Sequence, residues 1–176
     1  PRLKIPARSG IHFHPESTTA HFRSRPLLSS IMNTTITPKP SVRVASLRHV
    51  GPYDQVGTTW ERLLDLLGPE GHLGPGTQMI GIAYDDPETT LPAEIRYDAC
   101  VSITDDFEAF DKIEVKTLEG GDYAVTTHEG PYENLTHTYR HLLGQWLPRS
   151  GRELADSPCL EIYLNDPTST DSAELL

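Results

Sequence analysis

The stretch His-Val-Gly-Pro-Tyr-Asp-Gln-Val, His49 to Val56, returns 79 residues later as His-Glu-Gly-Pro-Tyr-Glu-Asn-Leu, His128 to Leu135. The match extends outward at the same offset. Thr59 meets Thr138, Trp60 meets Tyr139, and Leu63 and Leu64 meet Leu142 and Leu143. Upstream, Ile36 meets Val115 and Val44 meets Tyr123, while Asp86-Pro87 meets Asp166-Pro167 at an offset of 80. Self-similarity at a fixed spacing is the sequence mark of a repeated structural unit. Two copies are too few for a solenoid, so the expectation is a pair related by a pseudo-two-fold axis. Repeat one spans 33–104 and repeat two 112–176.

Each copy reads as the same string of elements. Ile113–Leu118 and Asp122–His128 flank Glu119-Gly120-Gly121, which predicts a hairpin in copy two. In copy one, Ile-Thr-Pro-Lys-Pro leads into the Ser41–His49 strand, with prolines suited to an edge. Gly-Pro breaks the strand, proline sets φ at the helix entry, and Tyr53 or Tyr132 follows in the first turn. Val56, Trp60, Leu63, Leu64 and Leu67 recur at helical spacing, as do Leu135, Tyr139, Leu142, Leu143 and Trp146. Gly68-Pro69 and Pro148 are expected to stop the two helices. Strands follow at Met79–Tyr84 and Glu94–Ile103 in copy one and at Cys159–Leu164 in copy two. The counterpart of the last strand would begin near Glu174, where the sequence stops. The expectation is an end clipped by several residues or completed by another chain, with an open sheet edge that could recruit a second copy into a homodimer. The fold class is α+β: two strand–helix–strand–strand units with a central cleft.

Charge divides the chain. Residues 1–32 hold five basic residues and Glu16 alone, a balance of +4, whereas the remainder holds 10 basic and 24 acidic residues, a balance of −14. An acidic body repels nucleic acid phosphates. The segment 1–32, broken by Pro1, Pro6, Pro15 and Pro26, reads as a basic linker or extended arm rather than a recognition helix. His12 and His14 share one face of an extended strand, but no third metal ligand stands near them. No run reaches the roughly 18 apolar residues of a membrane span, and no apolar leader is visible. Two cysteines, Cys100 and Cys159, suit a reducing cytoplasm, and both fall in predicted strands as buried thiols. There is no G-x-S-x-G, P-loop or H-E-x-x-H motif, and no cofactor is expected.

The motifs R-H-V-G-P-Y and H-E-G-P-Y, followed by G-I-A-Y-D-D-P, I-R-Y-D-A-C-V, W-L-P-R-S-G and L-E-I-Y-L-N-D-P, resemble the GyrI-like effector-binding domains over about residues 33–176. The resemblance implies two strand–helix–strand–strand units side by side with a cleft on their axis, as in the ligand-sensing halves of AraC-type transcription regulators. It implies a small organic ligand as partner, and DNA only through a helix-turn-helix domain that this sequence lacks. Some members of the family are associated with hydrolysis of cyclopropane-bearing natural products, others with inhibition of gyrase. A hydrolase using a pocket glutamate and a protein-binding module are therefore the alternatives to a sensor.

Alternation along Cys159–Leu164 puts Cys159, Glu161 and Tyr163 on one face and Leu160, Ile162 and Leu164 on the other. The aliphatic set is expected to pack on the helices. At the offset of 80, Glu161 and Tyr163 match Gly81 and Ala83, so one copy places a carboxylate and a phenol where the other places almost nothing. That asymmetry marks Glu161 as a cleft residue for a cationic or polar ligand, with Tyr53, Trp60, Tyr97, Tyr132, Tyr139 and Tyr163 as aromatic walls; the resemblance implies the same placement of the glutamate. A salt bridge from Glu161 to Arg96 is the structural alternative.

Overall fold

The computed structural model describes residues 33–165 and 169–176. The basic segment 1–32, its paired histidines and the Asp166-Pro167 match lie outside the described residues. Seven strands and two helical segments build a mixed α/β fold. The strands are β1 (Thr35–Lys39), β2 (Val42–Val50), β3 (Met79–Ala83), β4 (Arg96–Ser102), β5 (Glu114–Leu118), β6 (Gly121–Val125) and β7 (Cys159–Tyr163). Helix α1 (Val56–Leu67) follows β2. After β6, α2 (Leu135–Tyr139) runs through a π-helical stretch, Arg140–Trp146, into α3 (Leu147–Ser150). Pro148 lies inside this run, two residues before its end, and does not stop the helix as expected. Gly151 does so, in the left-handed conformation at φ 66°.

The strands form two antiparallel sheets. One has the order β5-β2-β4-β3-β7, and the other pairs β1 with β6. The elements keep the spacing of the sequence repeat: β5 and β6 begin 79 residues after β1 and β2, and β7 begins 80 after β3. Registers follow the same spacing. Ile36 pairs with Ala124 as Ala45 pairs with Val115. The amide of Gly51 donates to Ile95 O at 2.8 Å as that of Gly130 donates to Leu175 O at 2.9 Å.

The expected hairpins are absent, because β1 pairs with β6 and β5 with β2. Each connector, Pro40-Ser41 or Glu119-Gly120, bends the chain from one sheet into the other instead of reversing it. Glycine is needed there for close approach: a Cβ on Gly120 would stand 2.8 Å from Ser41 N and 3.0 Å from Lys39 O. Gly121, at φ 145°, makes the bend.

The repeated pentapeptide is a corner clasp. His49 Nε2 lies 3.2 Å from Pro52 O, and its Nδ1 lies 3.1 Å from Thr59 Oγ1. His128 repeats this with Pro131 O at 3.1 Å and Thr138 Oγ1 at 2.8 Å. A carbonyl only accepts, so Nε2 carries a proton, and in the neutral ring Nδ1 accepts from the threonine hydroxyl. The glycines of the two corners, Gly51 and Gly130, have φ of 145° and 107°, which side-chain-bearing residues rarely adopt. The clasp ties strand end to helix and sets Tyr53 and Tyr132 at the same place in each corner.

The helix-facing core contains Leu63 and Leu67 from α1, Ala45 and Leu47 from β2, Tyr97, Ala99 and Val101 from β4, and Cys159 from β7. Leu160 packs on the other sheet face with Val44, Ile80, Ile82 and Cys100. The expected orientation of β7 is therefore reversed: Cys159, Glu161 and Tyr163 face the helices, while Ile162 and Leu164 are exposed. Alternation separates two faces but does not say which one meets the helices when both carry apolar groups.

Asp98 lies buried on the face of Ile82, held by Arg48, by Lys116 Nζ at 2.7 Å and by the Tyr84 hydroxyl at 2.7 Å. Burial pushes its carboxyl up, but the hydrogen bonds from Arg48, Lys116 and Tyr84 outweigh burial and hold it below the usual carboxylate range. Asp98→Ala would strand two cations that are partly exposed, and we expect a loss of about 3 kcal/mol in urea unfolding at pH 7. Because the folded carboxyl is the stronger acid, this contribution is present above about pH 4 and fades as pH falls through the folded pKa. The gap between wild type and variant should shrink in that direction.

Candidate ligand cavity

A cavity of about 630 Å³ opens beside β7, bounded by the two corners and the second helix. Of the seven residues expected at the site, six line it: Tyr53, Tyr97, Tyr132, Tyr139, Glu161 and Tyr163. Trp60 stands behind this wall. Its indole nitrogen is 3.2 Å from the Tyr97 hydroxyl, and its ring meets Tyr163 edge-on at 5.3 Å. His128 with its neighbours Thr126 and Thr127 also line the cavity, as do Leu160 and Ile162 from the other face of β7. Sequence reasoning missed these because β7 ends a sheet, and the cavity reaches round that strand to both of its faces. The threonine pair just before the clasp histidine was the one available signal.

The centre of the site is a cross-strand pair. Gly81 on β3 lies opposite Glu161 on β7. The space over Gly81 is filled: a Cβ there would stand 2.0 Å from the Tyr97 hydroxyl oxygen. The room expected from the small residue is thus taken by a phenol of the protein's own. Tyr97, 1% exposed, reaches across Gly81 to Tyr163, with their oxygens 2.9 Å apart. Tyr53 donates to Asp85 O at 2.7 Å and packs edge-on against Tyr97.

Glu161 accepts from the Tyr139 hydroxyl at 2.7 Å. Among the described residues it makes no ion pair; Arg96 pairs instead with Asp85 at 2.7 Å. The expected Arg96 alternative is not formed, because Arg96 and Glu161 sit on opposite faces of the sheet. Water reaches Glu161 through the cavity, so the residue is half-buried, yet its carboxyl is closely surrounded by protein. Burial pushes its pKa up, against the pull of the Tyr139 and Tyr163 hydroxyls. Burial also raises the phenols of Tyr53, Tyr97 and Tyr163. Cys100 is pushed up to about 12, and Cys159 is raised as well, so both free thiols are poor nucleophiles.

The fold and this aromatic, carboxylate-bearing cavity have the form of a small-molecule-binding domain. Residues 32–176 match the GyrI-like small molecule binding domain, and the chain belongs to that family. It is 31% identical over 135 residues to a DNA gyrase inhibitor of Yersinia enterocolitica, covering 74% of this chain and 85% of the relative. It is 32% identical over 129 residues to the probable transcriptional regulator YgiV of Escherichia coli K12, covering 72% and 80%. The crystal structure of the EcmrR C-terminal domain has a similar fold, with a TM-score of 0.66 at 21% identity, covering 82% of this chain and 92% of that one. In the EcmrR–DNA complex the same likeness spans 55% of the EcmrR chain. Among the described residues, no helix is long and apolar enough to cross a membrane.

Two outcomes follow from the geometry. Gly81→Ala must displace a buried, twice-bonded phenol, and we expect a loss of about 1–3 kcal/mol in urea unfolding. Glu161→Gln should act oppositely at neutral pH. A carboxyl whose folded pKa is raised keeps its proton longer in the native state, so wild-type stability falls as pH rises above about 4.3. The glutamine variant should escape that fall, and the two unfolding curves should converge at lower pH.

Proposed function

We propose that this chain is the small-molecule-sensing part of a bacterial transcription regulator, and that its cavity takes a cationic or polar aromatic ligand against Glu161. The observation that carries this reading is a carboxylate without an ion pair among the described residues, set in a wall of tyrosines. A cation entering there gains the carboxylate and the π faces together, where little water competes. The relatives named as regulators, and the EcmrR–DNA complex in which the matching part is about half the chain, support a role in which DNA is contacted by another domain. Ligand binding would then bias a linked DNA-binding module by its differential affinity for two states. A cytoplasmic setting and a homodimer belong to the same reading.

The two halves are read as copies of one unit about a pseudo-two-fold axis through the Gly81–Glu161 pair. The recurrence of strands, registers and clasps at offsets of 79 and 80 supports this. A carboxylate on such an axis is reached from both halves, which suits a single ligand held between them.

The test is a thermal-shift comparison of wild type and Glu161→Gln with three probes: N-methyl-4-phenylpyridinium, its neutral isostere 4-methylbiphenyl, and biphenyl-4-carboxylate. The cation should raise the wild-type Tm, with about 2.7 kcal/mol of stabilisation at a hundredfold excess over Kd. Its affinity should fall about tenfold or more in the variant. Lower pH should weaken the cation in wild type, because a protonated Glu161 carries no charge. Turnover of the bound probe would turn the reading toward a hydrolase. A cation that shifts neither protein, or both equally, would sink the cavity reading and bring a protein partner forward.

A further inference from the structure

The cavity stands between two strand edges. In copy one, β4 lies between β2 and β3 and pairs with both, whereas β6 and β7 share no strand among the described residues, and residues of both line the cavity. Leu47 of β2 and Gly81 of β3 both pair with Ala99 of β4, so they stand level with each other, two strand spacings apart. At the offsets of 79 and 80 their counterparts are Thr126 and Glu161. The repeat therefore sets Thr126 level with Glu161 across the cavity, with backbones about 10 Å apart. Ala124, two residues earlier, packs on Leu142 of the second helix, and alternation gives Thr126 the same helix-facing side. Glu161 faces that side too, where it meets Tyr139.

Both positions change character together. Copy one has a leucine in the core and a glycine beneath a phenol, whereas copy two has a hydroxyl and a carboxylate. The Thr126 hydroxyl is buried and has no hydrogen-bond partner among the described residues. A hydroxyl shut away from water without a partner weakens a fold, and valine would fill the same shape without that penalty. One turn about χ1, between staggered wells, exchanges the hydroxyl with the methyl group, so the hydroxyl can be turned to a ligand in the cavity. We propose that Thr126 is the second polar contact of the ligand site: the ligand carries its cation at Glu161 and, on the far side of an aromatic ring, a hydroxyl or carbonyl that bonds to Thr126. A threonine hydroxyl both donates and accepts, so either group is served. The inference rests on the ligand reading of the cavity and narrows it from any aromatic cation to one that also bears a hydrogen-bonding group.

The probes are N-methyl-4-phenylpyridinium and its three isomers hydroxylated on the phenyl ring, titrated calorimetrically into wild type, Thr126→Ser, Thr126→Val and Thr126→Ala. At least one isomer should bind wild type about five- to tenfold tighter than the parent cation. Thr126→Ser keeps the hydroxyl and should keep that advantage. Thr126→Val and Thr126→Ala should both lose it, and either one decides the matter if the other fails to fold. Without ligand, Thr126→Val should unfold at a higher urea concentration than wild type, because it removes an unpaired hydroxyl and keeps the shape. An advantage that persists without the hydroxyl, or a Thr126→Val midpoint at or below that of wild type, would overturn the proposal. If the parent cation itself does not bind, the ligand reading falls and this inference with it; if the parent binds and no isomer gains, this inference alone falls.

Discussion

Tyr97 lies where residue 81 would carry a side chain, and the site is built outward from that contact. Because position 81 is glycine, a phenol from the neighbouring strand can cross the sheet pair and reach the next strand over. Its hydroxyl then joins β4, β7 and α1 through Tyr163 and Trp60. The cross-strand partner of that glycine is Glu161. A larger residue at 81 would dislodge the phenol, and with it the contact to Tyr163 beside Glu161.

Two carboxylates of the main sheet, Asp98 and Glu161, show how environment divides roles. Asp98 is matched by two cations and a phenol, and its charge is spent within the fold. Glu161, on the opposite face, has phenols for neighbours and no cation among the described residues. A matched charge is a structural part, whereas a carboxylate tuned only by neutral donors retains its attraction for something from outside. The same sheet thus carries a closed electrostatic unit on one face and an open one on the other.

Much of this was legible in the sequence. The recurring His-x-Gly-Pro-Tyr located both corners, helical spacing located Leu63 and Leu67 in the core, and the mismatch of Glu161 with Gly81 fell on the strand pair beside which the cavity opens. What stayed hidden depended on relations between distant residues. Alternation separated the two faces of β7 but not which one met the helices. Glu119-Gly120-Gly121 looked like a turn because glycine serves tight reversal and close backbone approach alike, and only the position of Ser41 tells them apart. Trp60, at a helical apolar position, looked like another wall of the cleft; its place behind Tyr97 depends on a strand 37 residues away. The partners of the two histidines, Thr59 and Thr138, were already matched by the repeat but had no assigned purpose.

The exchange of strands at the two connectors carries a consequence for how the chain reaches its native state. Neither half can complete its own sheet, since β2 borrows β5 and β6 borrows β1. During synthesis β2 emerges well before its borrowed neighbour, and one of its edges stays unsatisfied in the interval. Pairings between such distant segments form late and slowly. In a crowd of nascent copies, the strand that arrives first at that edge can belong to another molecule, giving an interlocked dimer with every native bond in place. The length of chain between β2 and β5 therefore acts as a clock, setting how long each molecule must wait for itself.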